Sequence, residues 1–160
     1  MSEIRTLMRT HPRPGMVTWI GLRPARLAPI NVVTQTEVTE NGLKGDHYIS
    51  GGPRAVTLIQ AEHLAVIAAL TQTDITPEML RRNIVISGIN LTAIRHENLQ
   101  IGTAQLKLTK PCAPCSRMER VIGPGGYNAM RGHGGWYAEV ITPGVITEKD
   151  ALTPVNAPHS

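Results

Sequence analysis

The sequence contains no phenylalanine, and aromatic residues make up only 3% of it. That excludes a core built on stacked rings and a surface that binds nucleic acid by stacking bases on aromatic side chains. There are only two cysteines, Cys112 and Cys115, too few for a disulfide framework or for the cysteine quartet of a structural zinc site. No apolar run approaches the length of a membrane span. The start, Met1-Ser-Glu-Ile-Arg5, lacks the apolar stretch of a signal peptide. No polybasic tract is present, and the net charge of +4 is a mild excess that suits a small anion at least as well as a polynucleotide. Neither a membrane nor a nucleic acid is expected as partner, and the cysteines read as free thiols of a cytoplasmic protein.

What is present points to an aliphatic core. Hydrophobic residues form 41% of the 160 residues, enough for one domain over 1–160 with its core from about residue 15 to 155. Glycine (15) and proline (12) are plentiful, which favours many turns over a few long helices. Residues 1–14 read as a loose entry segment. Met16 to Leu22 and Asn31 to Val38 are rich in β-formers and read as the first two strands. Asn41-Gly42 is a turn signal. Ala55 to Ile59 is a short apolar strand, and Gln60 to Leu70 follows with helical spacing. Thr76-Pro77-Glu78 opens a short helix, and Asn83 to Gly88 is again a strand.

Ile94 to Asn98 reads as a polar connection, and Gln100-Ile-Gly102 leads into a strand from Ala104 to Thr109, where Leu106 and Leu108 alternate with Lys107 and Thr109. Tyr127 to Met130 fits one helical turn. Trp136 to Ile141 is a strand on which Trp136 and Tyr137 face opposite sides, one of them toward the core. Val145-Ile-Thr147 leads to a last weak strand near Leu152 to Val155, and the tail from Asn156 is expected to fray. The sum is roughly seven or eight short strands with a few small helices, the pattern of a mainly β fold: a barrel or strongly curved sheet with helices on its rim.

The chain is organised around Lys110-Pro-Cys-Ala-Pro-Cys-Ser-Arg-Met-Glu-Arg120. A strand leads in and a helix is expected to lead out, with Cys115 at its start. The free N–H groups of a helix start carry partial positive charge and favour thiolate over thiol. Lys110, Arg117 and Arg120 push the same way, so Cys115 is the candidate chemical centre. The C-x-x-C spacing also allows a dithiol redox pair, whose usual βαβ setting is missing, or half a zinc site completed by His47, His63, His96 or His133. The plain alternative is a pair of buried structural cysteines.

Arginines form a second theme. Arg81 and Arg82 end the short helix, Arg54 follows a glycine turn, and Arg131 lies between glycine-rich loops. Guanidinium groups beside glycine backbone suit a bound phosphate. His133, in its glycine loop, is a candidate proton carrier or polar pocket residue. His63 reads as structural, and Asp46 as a turn former.

The chain resembles the MOSC domain, named for the C-terminal part of molybdenum cofactor sulfurases, in its small free-standing bacterial form. The resemblance rests on Gly42 to Asp46, Arg54 to Gln60, Leu80 to Leu91, Ile101-Gly102, the Cys112 to Met118 segment and Gly126 to Trp136, in that order. It implies a MOSC-type β-barrel, similar to the β-barrel of pyruvate kinase. It also implies a role with molybdenum cofactor (molybdopterin) or with sulfur destined for metal–sulfur centres. The family's characteristic cysteine matches Cys115. In related amidoxime-reducing enzymes that cysteine ligates molybdenum, and an Arg-x-Asn segment, matched by Arg81 and Asn83, helps hold the pterin phosphate. In other members the cysteine is thought to carry sulfur as a persulfide.

On this basis Cys115 is the catalytic and molybdenum-ligating candidate. Arg81, Asn83, Arg54, Arg131, His133 and Arg117 are the candidates around the cofactor. Expected partners are the anionic pterin cofactor or a sulfur donor protein, with an electron-transfer partner if N-hydroxylated compounds are reduced. Pyridoxal phosphate is not expected on this domain alone. Two departures stand out: the reducing enzymes carry an additional N-terminal domain, and the Gly-Asp pair common near the end of the barrel is here Lys149-Asp150.

Overall fold

The computed structural model describes residues 2–155. In chain order its elements are α1 (Glu3–Met8), β1 (Gly15–Leu22), β2 (Asn31–Val33), β3 (Gln35–Thr39), β4 (Gly42–Leu43), β5 (Val56–Gln60), α2 (Ala61–Thr71), α3 (Pro77–Leu80), β6 (Ile84–Ser87), β7 (Asn98–Ile101), β8 (Ala104–Pro111), α4 (Ser116–Ile122), α5 (Gly126–Met130), β9 (Trp136–Thr142), β10 (Gly144–Thr147) and β11 (Ala151–Pro154). The main sheet runs β11-β7-β8-β9-β5-β6-β1-β2, and β11 also pairs with β1. Seven strands therefore close into a barrel, and β2 extends the sheet beside β1. A smaller sheet, β10-β3-β4, is separate from it in its pairing and adds Val38, Leu43 and Ile146 to the same core. The fold is mainly β, as the strand count implied.

Alternation explains the barrel. Ala104, Leu106 and Leu108 of β8 are buried and their neighbours are not, and the same inward set comes from Val17 and Ile20, Leu58, Ile84 and Ile86, Leu99 and Ile101, Ala138 and Leu152. Closure removes the sheet edges that would otherwise be left unpaired. With no ring larger than the half-buried Trp136 packed against it, the interior is almost wholly aliphatic.

β5 and β6 depart from simple alternation, being buried on both faces. Leu58 and Ile84 point into the barrel, whereas Ile59 and Val85 belong to a second cluster with Ile67, Leu80, Met118, Ile122, Ala129 and Met130. These two strands are also the one parallel pair among the described residues. A parallel pair needs a long crossover, and α2 with α3 fills it. α2, α4 and α5 cover the outer face of β5 and β6, which fixes α4, and with it Cys115, against this side of the barrel.

Four segments differ from the sequence expectation. Residues 3–8 are helical rather than loose, because Ser2 caps the first turn by accepting from the Arg5 N–H at 3.3 Å. The run 31–38 divides at Thr34, its first part pairing with β1 and its second with β10. Residues 98–101, read in part as a connection, form β7. Residues 144–147, read as a lead-in, form β10. The tail from Asn156, expected to fray, lies outside the described residues.

Candidate functional site

Pro111, Cys112, Ala113 and Pro114 carry the chain from β8 to α4. Cys115 is the N-cap of α4, with extended backbone (φ −127°, ψ 163°), and its carbonyl accepts from the Met118 N–H at 2.9 Å. The helix begins where the sequence placed it. Both cysteines are free; Cys115 is exposed and Cys112 is buried. They face different spaces.

Cys115 lines an open cavity of about 410 Å³ together with six arginines: Arg23, Arg26, Arg81, Arg82, Arg117 and Arg120. His47, Leu27, Leu80 and Met118 complete its wall. Among the described residues no carboxylate lines it. Just beneath, the buried Asp46 pairs with Arg23, whose Nε and Nη2 donate to it at 3.1 and 3.0 Å. Arg23 N–H adds a bond at 2.8 Å and Tyr48 N–H another at 3.2 Å. Burial alone would raise the Asp46 carboxyl, but these Arg23 contacts and the Tyr48 bond hold it below the ordinary aspartate value. The bond to Tyr48, two residues on, is the turn role expected of Asp46, and the pairing with Arg23 extends it.

The six guanidinium groups are not equivalent. Arg81 donates through Nη1 to the Ala28 carbonyl and through Nη2 to the Ala25 carbonyl at 3.2 Å, tying down the loop that carries Arg26 and Leu27. Burial first, and then the nearby charges of Arg117 and Arg23, lower its affinity for the proton. Arg82 donates through Nε to Gly134 O at 2.7 Å and through Nη1 to Leu80 O at 2.8 Å. Arg26, Arg117 and Arg120 form no ion pair among the described residues and are free to meet a ligand.

Asn83 lies under this cavity with 0% of its surface exposed. Its Nδ2 donates to Gly21 O at 3.0 Å and Asp46 Oδ1 at 3.1 Å, and its Oδ1 accepts from Thr57 N–H and Oγ1. All its side-chain hydrogen-bonding capacity is thus met inside the protein. Of the expected cofactor residues, Arg81 and Arg117 share the cavity with Cys115. Arg54 stands apart, its guanidinium carbon 5.3 Å from the centre of the Tyr137 ring, over which Lys110 also lies at 5.7 Å. Arg131 is exposed at the end of α5 and lines neither cysteine cavity. His133 bonds through Nδ1 to Ala129 O at 3.0 Å and meets His63 edge-on at 5.2 Å.

Arg23 and Arg26 carry the cavity's other wall and are not among the candidates named from the sequence. The spacing of Arg23-Pro-Ala-Arg26 right after an apolar strand was the available signal. Among the described residues no three His, Cys, Asp or Glu side chains converge as metal ligands. His47 and His63 line different cavities.

Cys112 faces the other side of the segment, in a separate cavity of about 320 Å³ with His63, Arg95 and Trp136. Burial pushes its thiol up, against the pull of Arg82, Arg23, Arg54 and Lys110. The glycine loop closes over it: Cys112 N–H donates to Gly135 O at 2.8 Å. Gly135 has φ +91°, and a Cβ there would run into the Leu58 carbonyl, so this close approach needs glycine.

The molecule is thus a small closed β-barrel bearing one exposed thiol among clustered guanidinium groups. The chain matches the MOSC domain family model over residues 46–153 and belongs to that family. Its fold is similar to the YuaD protein of Bacillus subtilis, with a TM-score of 0.77 at 14% identity over 88% of this chain and 94% of that one. YiiM of Escherichia coli gives 0.69 at 21% identity over 91% and 72%, and YiiM of Geobacillus stearothermophilus 0.72 at 18% over 89% and 76%. At such identities the likeness is one of fold. No curated protein sequence matches the chain. At Lys149-Asp150 the chain turns with a non-glycine residue in the left-handed region: Lys149 takes φ +77° and Asp150 Oδ2 accepts from the Thr147 N–H at 2.7 Å. No helix of the described residues is long and apolar enough to cross a membrane.

Proposed function

We propose that this protein binds molybdenum cofactor in the arginine cavity, with Cys115 as the protein ligand to molybdenum. The observation that carries the reading is the exposed thiol opening into a space walled, among the described residues, by six arginines and no carboxylate. That donor set fits the group, since a soft sulfur suits molybdenum and the guanidinium groups suit a pterin phosphate. Arg26, Arg117 and Arg120 would take the phosphate. Arg81 and Arg82, whose donors are partly committed to backbone carbonyls, hold the walls and contribute field. Asn83 acts from below, by fixing Asp46 and through it Arg23. When bound, the cofactor would supply two-electron redox chemistry, suited to reduction of an N-hydroxylated compound with a separate electron-transfer partner. The two free thiols fit a cytoplasmic setting.

The test is to purify wild type, Cys115→Ser and Arg117→Ala from cells that make the cofactor, and to quantify molybdenum and pterin in each. Retention of both by wild type, loss of molybdenum in Cys115→Ser and loss of pterin in Arg117→Ala are expected. A wild type that retains neither overturns the reading.

A second reading uses the same thiol as a sulfur carrier, and the exposure of Cys115 at an open rim favours it, because a partner can reach it. The Cys115 thiolate would attack the outer sulfur of a donor protein's persulfide. The donor's S–S bond breaks, its thiolate leaves with the electron pair, and Cys115 keeps the sulfur with no net redox change. Intact-mass and peptide analysis after incubation with a cysteine desulfurase and cysteine should find the added sulfur on Cys115. Its appearance only on Cys112 would sink this version.

A further inference from the structure

The cavity behind the cysteine segment has a chemistry of its own. No described residue lines both cavities, and the Arg82–Gly134 hydrogen bond lies in the partition between them. The floor is apolar: buried Leu91, buried Cys112 and the half-buried indole of Trp136. At the mouth stands the exposed guanidinium of Arg95, steadied by one bond from Nη1 to Thr92 O at 2.6 Å. That leaves most of its five N–H donors for a ligand.

We infer that this cavity is a second ligand site, built for a small molecule with a flat apolar body and a single carboxylate. The charge count sets the class. Among the described residues Arg95 is the one side chain in the wall with a permanent charge, and no acid lines it. Burial, and then the neighbouring His133, lower the proton affinity of the His63 ring, so at neutral pH it offers a hydrogen bond rather than a second positive charge. Cys112, pushed up by burial, stays a neutral thiol. One guanidinium matches one carboxylate through two parallel bonds, whereas a phosphate dianion is better served by the arginine cavity next door. The indole supplies a flat apolar wall, and at about 320 Å³ the space lies at the lower end of small-molecule sites. The assignment needs nothing bound at Cys115.

Benzoate is the probe, with benzamide as its uncharged isostere. Each is titrated into the full chain, and the indole N–H of Trp136 is followed by 1H–15N NMR, with that of Trp19 as an internal control. We expect a saturable shift of Trp136 and none of Trp19, about tenfold weaker for benzamide and about tenfold weaker for benzoate with Arg95→Gln. Because Arg95 is exposed, that variant keeps the fold, which the rest of its spectrum will show. A Trp136 resonance that stays still into the millimolar range, equal affinities for benzoate and benzamide, or an unchanged affinity in Arg95→Gln each overturns the assignment.

Discussion

The Asn83 side chain donates to Asp46 Oδ1 at 3.1 Å, and this bond helps join the floor of the arginine cavity to the barrel. Asp46 in turn orients Arg23. On its other side Asn83 is joined to Thr57 of β5 and to the Gly21 carbonyl of β1. Replacing it with alanine takes this partner from the Thr57 N–H and the Gly21 carbonyl, while Asp46 Oδ1 keeps its bonds from Arg23. At about 1–3 kcal/mol for each unsatisfied group, Asn83→Ala should lower unfolding free energy by roughly 2–4 kcal/mol, read from urea denaturation. A stable Asn83→Ala protein that merely loses ligand would instead make Asn83 a contact residue.

Asp46 predicts a pH dependence with a definite sign. Its carboxyl lies below the ordinary value in the folded protein, so the unfolded chain takes up this proton first as pH falls. The stabilisation is fully present above the unfolded value of about 3.9 and is lost as pH falls through the lower folded value. Urea midpoints measured downward from pH 6 should fall in this range. Asp46→Asn should start less stable and lose less over the same interval. Parallel curves for the two proteins would remove Asp46 from the account.

Much of this was legible in the sequence, for local reasons. Cys115 as the start of α4 followed from the strand leading into its segment and the helix expected to lead out. β8 followed from the alternation of Leu106 and Leu108. What was missed depends on partners far along the chain. Thr34 divides a continuous β-branched run because residues on either side pair with different sheets, and nothing local marks the break. β7 offers only Leu99 and Ile101 as inward residues, too short a pattern to separate from a loop. Arg23 and Arg26 enter the cavity through the fold of the loop that Arg81 holds. Asn83 looked like a ligand contact by its motif, and burial among Thr57, Gly21 and Asp46 is a tertiary fact.

The two thiols should separate cleanly in reactivity. With iodoacetamide at neutral pH, Cys115 is open to solvent, whereas Cys112 is 5% exposed and pushed up by burial. One thiol per chain should label in the folded protein, more than about tenfold faster than the other, and the second only once urea unfolds the chain. Cys115→Ser should abolish the fast phase and Cys112→Ser should leave it. Comparable native rates for both would mean that the glycine loop opens over Cys112.

Arg81 combines a functional-looking side chain with a backbone that suits another residue. It sits at the C-cap of α3 with φ 56° and ψ 37°, a left-handed conformation that costs an ordinary residue about 1 kcal/mol relative to glycine. Its guanidinium offsets that cost by binding the carbonyls of Ala25 and Ala28. Arg81→Ala loses these bonds and keeps the strain. Arg81→Gly loses the same bonds and sheds it. The glycine variant should therefore be the more stable of the two by about 1 kcal/mol in urea denaturation, even though glycine loosens the unfolded chain. Both should show faster hydrogen exchange across residues 25–28, because that loop loses its tether in either case. If alanine proved as stable as glycine, the left-handed cap would not be populated. If exchange in the loop were unchanged, Arg81 would be left to the ligand alone rather than shared between ligand and loop.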